Sequence, residues 1–204
     1  KLFLLKGNQL EVLYLNMCDE ELDEDLEEIS KIKEERRKTE TSILIQQRIS
    51  KENYLLKVNE MLARIHRGDI YEAIFCMEFY AENAEINPLE IYQKLNTISE
   101  PPFAVYFKNN KQFLLSASPE RYLRKEGTKI ITQPIKGAAK RFSDVTKDKN
   151  AIAELQTNPK ERSENIMIVD LVRNDLSHTA EKGSVEVEEL CEIYSFKQVH
   201  QMIS

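Results

Sequence analysis

Residues 103–107 read Phe103-Ala104-Val105-Tyr106-Phe107, and residues 112–117 read Gln112-Phe113-Leu114-Leu115-Ser116-Ala117. Both segments are short, apolar and aromatic, the composition of a half-buried pleated strand. Asn109-Asn110 lies between them, and asparagine tolerates the left-handed backbone that a tight hairpin turn needs. A second pair follows directly: residues 121–125, a turn at Glu126-Gly127, then residues 129–135. Two hairpins in succession, set among helical patterns, predict an α+β fold rather than a doubly wound parallel sheet.

The flanking segments supply the helices. Ser50 is a good N-cap, with Asn53 where a capping-box acid would sit. Tyr54, Leu55, Val58, Met61, Leu62 and Ile65 then form one apolar stripe, and Gly68 ends the helix in the left-handed conformation such ends favour. The β-branched and aromatic run from Ile70 to Tyr80 predicts a buried strand. Asn87-Pro88 opens another helix carrying Leu89, Ile91, Tyr92 and Leu95. Helices are expected at 144–157 and 159–176, and Gly183 is expected to open a strand at 184–189 before a final apolar segment ending at Ser204. Upstream, residues 10–15 read as a strand and residues 43–49 as a strand or short bridge. Residues 19–28 hold eight acids in ten positions, yet Leu22, Leu26, Ile29 and Ile32 keep helical spacing. Lys31, Lys33, Arg36, Arg37 and Lys38 follow, and acids early with bases late suit the helix dipole. This reads as a solvated amphipathic helix, with an acidic interaction tail as the alternative.

The net charge of −6 is spread, with basic residues interleaved among acidic ones, which excludes a nucleic-acid footprint. No apolar run reaches the length of a membrane span. Cys18, Cys76 and Cys191 have neither metal-like spacing nor an even count, which points to reduced thiols and a cytoplasmic location. A mildly acidic protein that binds an anion must do so locally, with a lysine, backbone amides or a metal.

Two stretches combine those parts. Gln133-Pro134-Ile135-Lys136-Gly137 carries a lysine at the end of a strand-like run, beside a glycine that permits close approach. A lysine amine is a nucleophile only when neutral, and its ordinary pKa of about 10.4 leaves little of that form at neutral pH; burial or a nearby cation lowers the value. On the pattern alone Lys136 reads either as a surface lysine at a strand end or as such a nucleophile. Glu120, in Ser118-Pro119-Glu120, reads as an ordinary turn acid or as a general acid or base. Lys160-Glu161-Arg162-Ser163-Glu164-Asn165 puts Glu161 and Glu164 on one face of a helix that starts after Asn158-Pro159. Glu161 also completes a cap, whereas Glu164 borders the buried run Ile166-Met167-Ile168-Val169, where a carboxylate would suit Mg²⁺. Asp170, Arg173, Asn174 and Asp175 read as an ion-pair and capping network. His200, alone in an alternating segment, reads as a hydrogen-bonded structural residue.

Taken in order, Arg67-Gly68-Asp69-Ile70-Tyr71-Glu72, Ser118-Pro119-Glu120-Arg121, Pro134-Ile135-Lys136-Gly137, the run from Arg162 through Ser163-Glu164-Asn165 to Asp175, and Val199-His200 resemble the chorismate-utilising enzymes, most closely the component I group of aminodeoxychorismate synthases. The resemblance spans roughly residues 50–204. It implies two packed antiparallel sheets flanked by helices, and amination of chorismate at C4 to 4-amino-4-deoxychorismate, the para-aminobenzoate branch of folate synthesis. It implies that Lys136 attacks C2 of chorismate covalently, where related anthranilate synthases carry alanine. It assigns Glu120 to protonation of the departing C4 hydroxyl and His200 to the neighbourhood of the leaving group. Gly137 and Ala138 fall at substrate-binding positions, and Glu164 with Glu161 at an Mg²⁺ site for the ring carboxylate. The implied partners are chorismate and a glutamine amidotransferase that supplies ammonia. Sister reactions of the same family, giving anthranilate or isochorismate, are the alternative; a non-catalytic helix-rich binding module, with the acidic helix as its contact surface, is another.

Two departures follow from the same resemblance. Ala138 stands where the motif has threonine, so any contact of that hydroxyl is lost. The family continues well past the position of Ser204, with a Gly-Ala-Pro-Lys segment and further metal carboxylates. Residues 1–49 are therefore expected to be a remnant of an N-terminal region, and residues 50–204 the first part of a catalytic domain, a fragment inactive by itself.

Overall fold

A computed structural model describes residues 1–33 and 43–204. The chain forms two compact units, residues 1–38 and 39–204. In the first, strand β1 (Leu2–Lys6) pairs antiparallel with β2 (Gln9–Leu13). A single 3-10 turn, Asp19–Glu21, then leads into α1 (Leu22–Lys31). The Tyr14 hydroxyl donates to Asp25 on α1, and Lys1 Nζ lies 2.6 Å from Asp25 and from Glu21. The expected strand at 10–15 is thus β2, while β1 comes from an apolar run whose shortness says nothing against a strand. The acidic segment is helical as expected, with Leu26, Ile29 and Ile32 exposed; Arg36, Arg37 and Lys38 lie outside the described residues.

The second unit begins with β3 (Gln46–Gln47), the short bridge expected near residues 43–49, and α2 (Lys51–Arg67). Ser50 caps α2, its hydroxyl accepting from the Asn53 amide at 3.3 Å, and Gly68 ends it at φ +84°. Beyond Gly68 the expected buried strand does not form. Only β4 (Phe79–Tyr80) pairs, with β3, while Ile70, Tyr71 and Ile74 are exposed. β propensity is realised only where a neighbouring strand offers hydrogen bonds; the Arg48 amide reaches the Glu78 carbonyl at 2.9 Å, and for residues 70–77 no strand does so among the described residues. Helix α3 (Pro88–Ser99) starts at Asn87, whose side chain accepts from the Leu89 and Glu90 amides.

Both hairpins are present, each turning one residue later than expected. β5 (Phe103–Asn109) and β6 (Gln112–Ser118) close at the Asn109–Gln112 pair, so Asn110-Lys111 forms the loop, with Asn110 at φ +53°. β7 (Arg121–Glu126) and β8 (Lys129–Gln133) close around Gly127-Thr128. The second hairpin stops at Gln133 because Pro134 has no N–H for the ladder. The chain restarts as β9 (Ile135–Lys140), followed by α4 (Val145–Thr157) and α5 (Pro159–Ser177). Residues 184–189, expected as a strand, join no ladder among the described residues. Strands instead form at β10 (Glu192–Ser195) and β11 (Val199–Ile203), in a three-stranded sheet of order β10-β11-β9. Every ladder is antiparallel, as an α+β fold of this type requires. The core lies where α4 and α5 cover this last sheet, around Leu155, Cys191 and Met202, with Ala139 and Ile193 against them.

Candidate active site

β9 pairs with β11 through Ile135–Ile203 and Ala138–Gln201, so Lys136 and Gly137 together stand opposite Met202. This is a β-bulge, a device that bends a strand and re-aims its side chains. Gly137 makes it possible. Its φ is +91°, and a Cβ there would stand 3.2 Å from Glu161 Cβ and Oε2 and 3.3 Å from Met202 Cβ. The first turn of α5 therefore closes directly on the backbone beside Lys136. Asn165, one turn further along α5, fastens the contact. Its amide donates to the Lys136 carbonyl at 3.3 Å and the Met202 carbonyl at 3.2 Å. Its oxygen accepts from the Ser204 hydroxyl, and the residue is 1 % exposed.

The Lys136 amine donates to Oε1 of Glu72, in the loop after α2. Both side chains are about three-quarters covered, and Glu72 Oε2 is buried without a hydrogen-bond partner among the described residues. Glu120 sits on the link between the hairpins. Its amide donates to Ser118 Oγ at 3.1 Å, and its exposed carboxylate accepts from the Ile135 amide at 3.3 Å. The strand break at Pro134 leaves that amide free of the β7–β8 ladder. Glu120 thus reaches the peptide immediately before Lys136, while the Lys136 amine itself meets Glu72.

Glu161 and Glu164 lie on the first turns of α5, whose N-cap Asn158 accepts from the Lys160 and Glu161 amides. Lys160 Nζ, on an exposed side chain, stands 3.5 Å from Glu164 and 3.9 Å from Glu161. The Lys160 ammonium thus lies within ion-pair range of both carboxylates, which share one face of the helix. Mg²⁺ typically takes one or two protein carboxylates and completes its shell with water or substrate oxygens. Among the described residues no third His, Cys, Asp or Glu joins them.

His200 is placed elsewhere. It is fully buried, with Nδ1 2.8 Å from Ser195 Oγ and Nε2 3.0 Å from Asp148 Oδ1. Asp148 also accepts from the Phe142 amide at 2.8 Å and from Arg141 Nε at 3.1 Å. The Phe142 amide first, and then the Arg141 guanidinium, hold the Asp148 carboxyl down at about 2. Both ring nitrogens are occupied inside the core, so the structure does not bring His200 to Lys136 or Glu120. The residue after it, Gln201, pairs with exposed Ala138 and points to the opposite side of the sheet. The buried Asn165 and the half-buried Glu72 and Asp148 carry no role in the sequence reading. A faint signal exists for two of them: an amide inside the apolar α5 stripe, and an acid inside the apolar run after Gly68.

Residues 3–204 match the model of the chorismate binding enzymes. An anthranilate synthase component I-like protein of Synechocystis is 37 % identical over 154 residues, covering 75 % of this chain and 32 % of that protein. Aminodeoxychorismate synthase component 1 of Klebsiella aerogenes is 36 % identical over 156 residues, covering 76 % of this chain and 34 % of that one. The chain therefore spans about a third of the length of these relatives. Among solved structures, anthranilate synthase component I of Streptococcus pneumoniae superposes with a TM-score of 0.78 at 21 % identity, over 96 % of this chain and 46 % of that one. No helix among the described residues is long and apolar enough to cross a membrane. With antiparallel sheets flanked by helices and this match over nearly its whole length, the chain belongs to the chorismate binding enzymes.

Proposed function

We propose that this chain contributes the lysine half of an aminodeoxychorismate synthase component I site, which aminates chorismate at C4. The observation that carries the reading is Lys136 at a glycine bulge, with Glu120 anchored on the adjoining peptide. The Lys136 amine attacks C2, the ring diene shifts toward C4, and Glu120 protonates the departing C4 hydroxyl, which leaves as water. Ammonia, supplied by a glutamine amidotransferase or from solution, then adds at C4 and expels Lys136. Glu161 and Glu164 would hold Mg²⁺, which when bound neutralises the ring carboxylate of the substrate. Gly137 and Ala138 form the floor beside the reacting ring, and His200 acts at a distance by fixing Asp148 and the α4–β11 contact. In this reading residues 50–204 are the first part of the catalytic domain and residues 1–49 belong to the region before it. The free thiols Cys18, Cys76 and Cys191 suit a cytoplasmic enzyme.

A second reading, anthranilate synthase, draws support from the relatives of that type. Product analysis separates the two. The full-length protein, given chorismate, Mg²⁺ and ammonium, is expected to form 4-amino-4-deoxychorismate, which stays non-aromatic until a lyase acts. Direct release of fluorescent anthranilate would reject the first reading and support the second.

A further inference from the structure

We propose that Glu72 is the base that frees the Lys136 amine, taking one proton before attack and returning it when the amine departs. The inference rests on the reading of Lys136 as the nucleophile and adds the residue that activates it. A general base must first lie within hydrogen-bond reach of the proton it removes. Glu72 Oε1 does so in the resting structure, as the acceptor from Lys136 Nζ. Glu120 cannot serve both ends of the reaction. It must deliver a proton to the leaving hydroxyl while another group receives one from lysine, and its carboxylate is turned to the Ile135 amide instead. Two carboxyl groups with two environments divide those tasks.

The second observation is the other oxygen of the same group. Glu72 Oε2 is closed off from solvent and has no hydrogen-bond partner among the described residues. Buried polar atoms in folded proteins are nearly always satisfied, so an orphan calls for an explanation. An oxygen that holds the transferred proton, or meets a donor only when substrate is seated, provides one. The loop that presents Glu72 is also fastened. Asp69 takes hydrogen bonds from Arg67 Nε at 3.0 Å and Arg64 at 3.3 Å, tying the segment to the end of α2. The motif Arg67-Gly68-Asp69 thus ends the helix and delivers the carboxylate three residues later.

The proton count closes. In the first half, Lys136 ammonium gives one proton to Glu72, and its lone pair forms the bond to C2. The C4–O bond breaks with a proton from Glu120. In the second half, ammonia forms the C4–N bond and the C2–Nζ bond breaks. Glu72 returns its proton to the departing amine, and Glu120 recovers one from the added nitrogen.

The test is the rate at which a chorismate-derived mass appears on Lys136 of the full-length protein, with Mg²⁺ and without ammonia. Glu72→Gln preserves shape and removes the base; its adduct rate is expected to fall by about 10²-fold or more, with chorismate binding retained. Formate added to Glu72→Ala is expected to restore the rate in a concentration-dependent way, a response that lost packing cannot produce. An adduct in the wild type that forms equally fast in Glu72→Gln would overturn the role of Glu72 alone. Absence of rescue in a Glu72→Ala protein that still binds chorismate would overturn it as well. Absence of any adduct in the wild type would remove the nucleophile itself, and this inference with it.

Discussion

Asn165→Ala is expected to destabilise the protein by about 2–4 kcal/mol. The side chain is 1 % exposed and joins three elements: α5, the Lys136 carbonyl on β9 and the Met202 carbonyl on β11. Truncation leaves both carbonyls and the Ser204 hydroxyl without their partner. Three buried hydrogen bonds at about 1 kcal/mol each, plus a small cavity, give that range. For a chain of this size, about 1 kcal/mol corresponds to roughly 2–4 °C in Tm, so the melting point should fall by on the order of 10 °C. Asn165→Asp is nearly isosteric and should be worse than Ala, because it points a carboxylate oxygen at two carbonyl oxygens in place of an N–H donor. Breaking a buried polar pair in this way costs about 3–5 kcal/mol. Urea titration or calorimetry of the full-length variants gives the order wild type, Ala, Asp from most to least stable. An Asp variant as stable as wild type would refute the donor role of the amide and the pinning of the bulge by α5.

Other outcomes follow from the same geometry. Gly137→Ala should cost about 1–2 kcal/mol for left-handed backbone strain and about 1–3 kcal/mol for crowding against Glu161 and Met202; calorimetry should show the loss, and isothermal titration a weakened Mg²⁺ affinity. His200→Ala should lower stability by about 2–4 kcal/mol while turnover per folded molecule persists; a collapse of kcat at unchanged Tm would return the imidazole to the chemistry. Asp148 has its folded pKa depressed to about 2. It therefore contributes stability that is present above its unfolded value of about 3.9 and is lost as pH falls toward 2. Asp148→Asn should flatten the acid limb of a Tm-against-pH curve in that window and leave the neutral limb parallel to wild type.

The local signals in the chain were legible wherever one residue type has one backbone use. Ser50, Gly68, Asn87-Pro88 and Asn158-Pro159 mark helix ends that the structure places within a residue. The hairpins were legible from composition and turn residues, each displaced by one position, because loop register depends on which residue takes positive φ. The long-range partners were not. The run from Ile70 to Tyr80 has the composition of a buried strand, yet pairing requires a neighbour that local pattern does not name. Pro134 could have separated β8 from β9, since a residue without an N–H ends a ladder. Lys136 and Glu120 were legible as a pair only through the ordered motifs. Glu120 reaches the Ile135 amide beside Lys136, and Glu72 reaches Lys136 from 64 residues away, which no spacing rule captures. His200 illustrates the reverse. The residue-level reading as a hydrogen-bonded histidine agrees with its buried ring and two partners, whereas the role carried over by resemblance is left to the kinetics of His200→Ala.

The nucleophile role of Lys136 is tested most directly by peptide mass mapping after the full-length protein meets chorismate and Mg²⁺ without ammonia. A mass increase equal to chorismate less one water on the peptide holding Lys136, absent in Lys136→Ala together with turnover, is the predicted result. An unmodified Lys136 peptide, with Lys136→Ala turning over as fast as wild type, would contradict it.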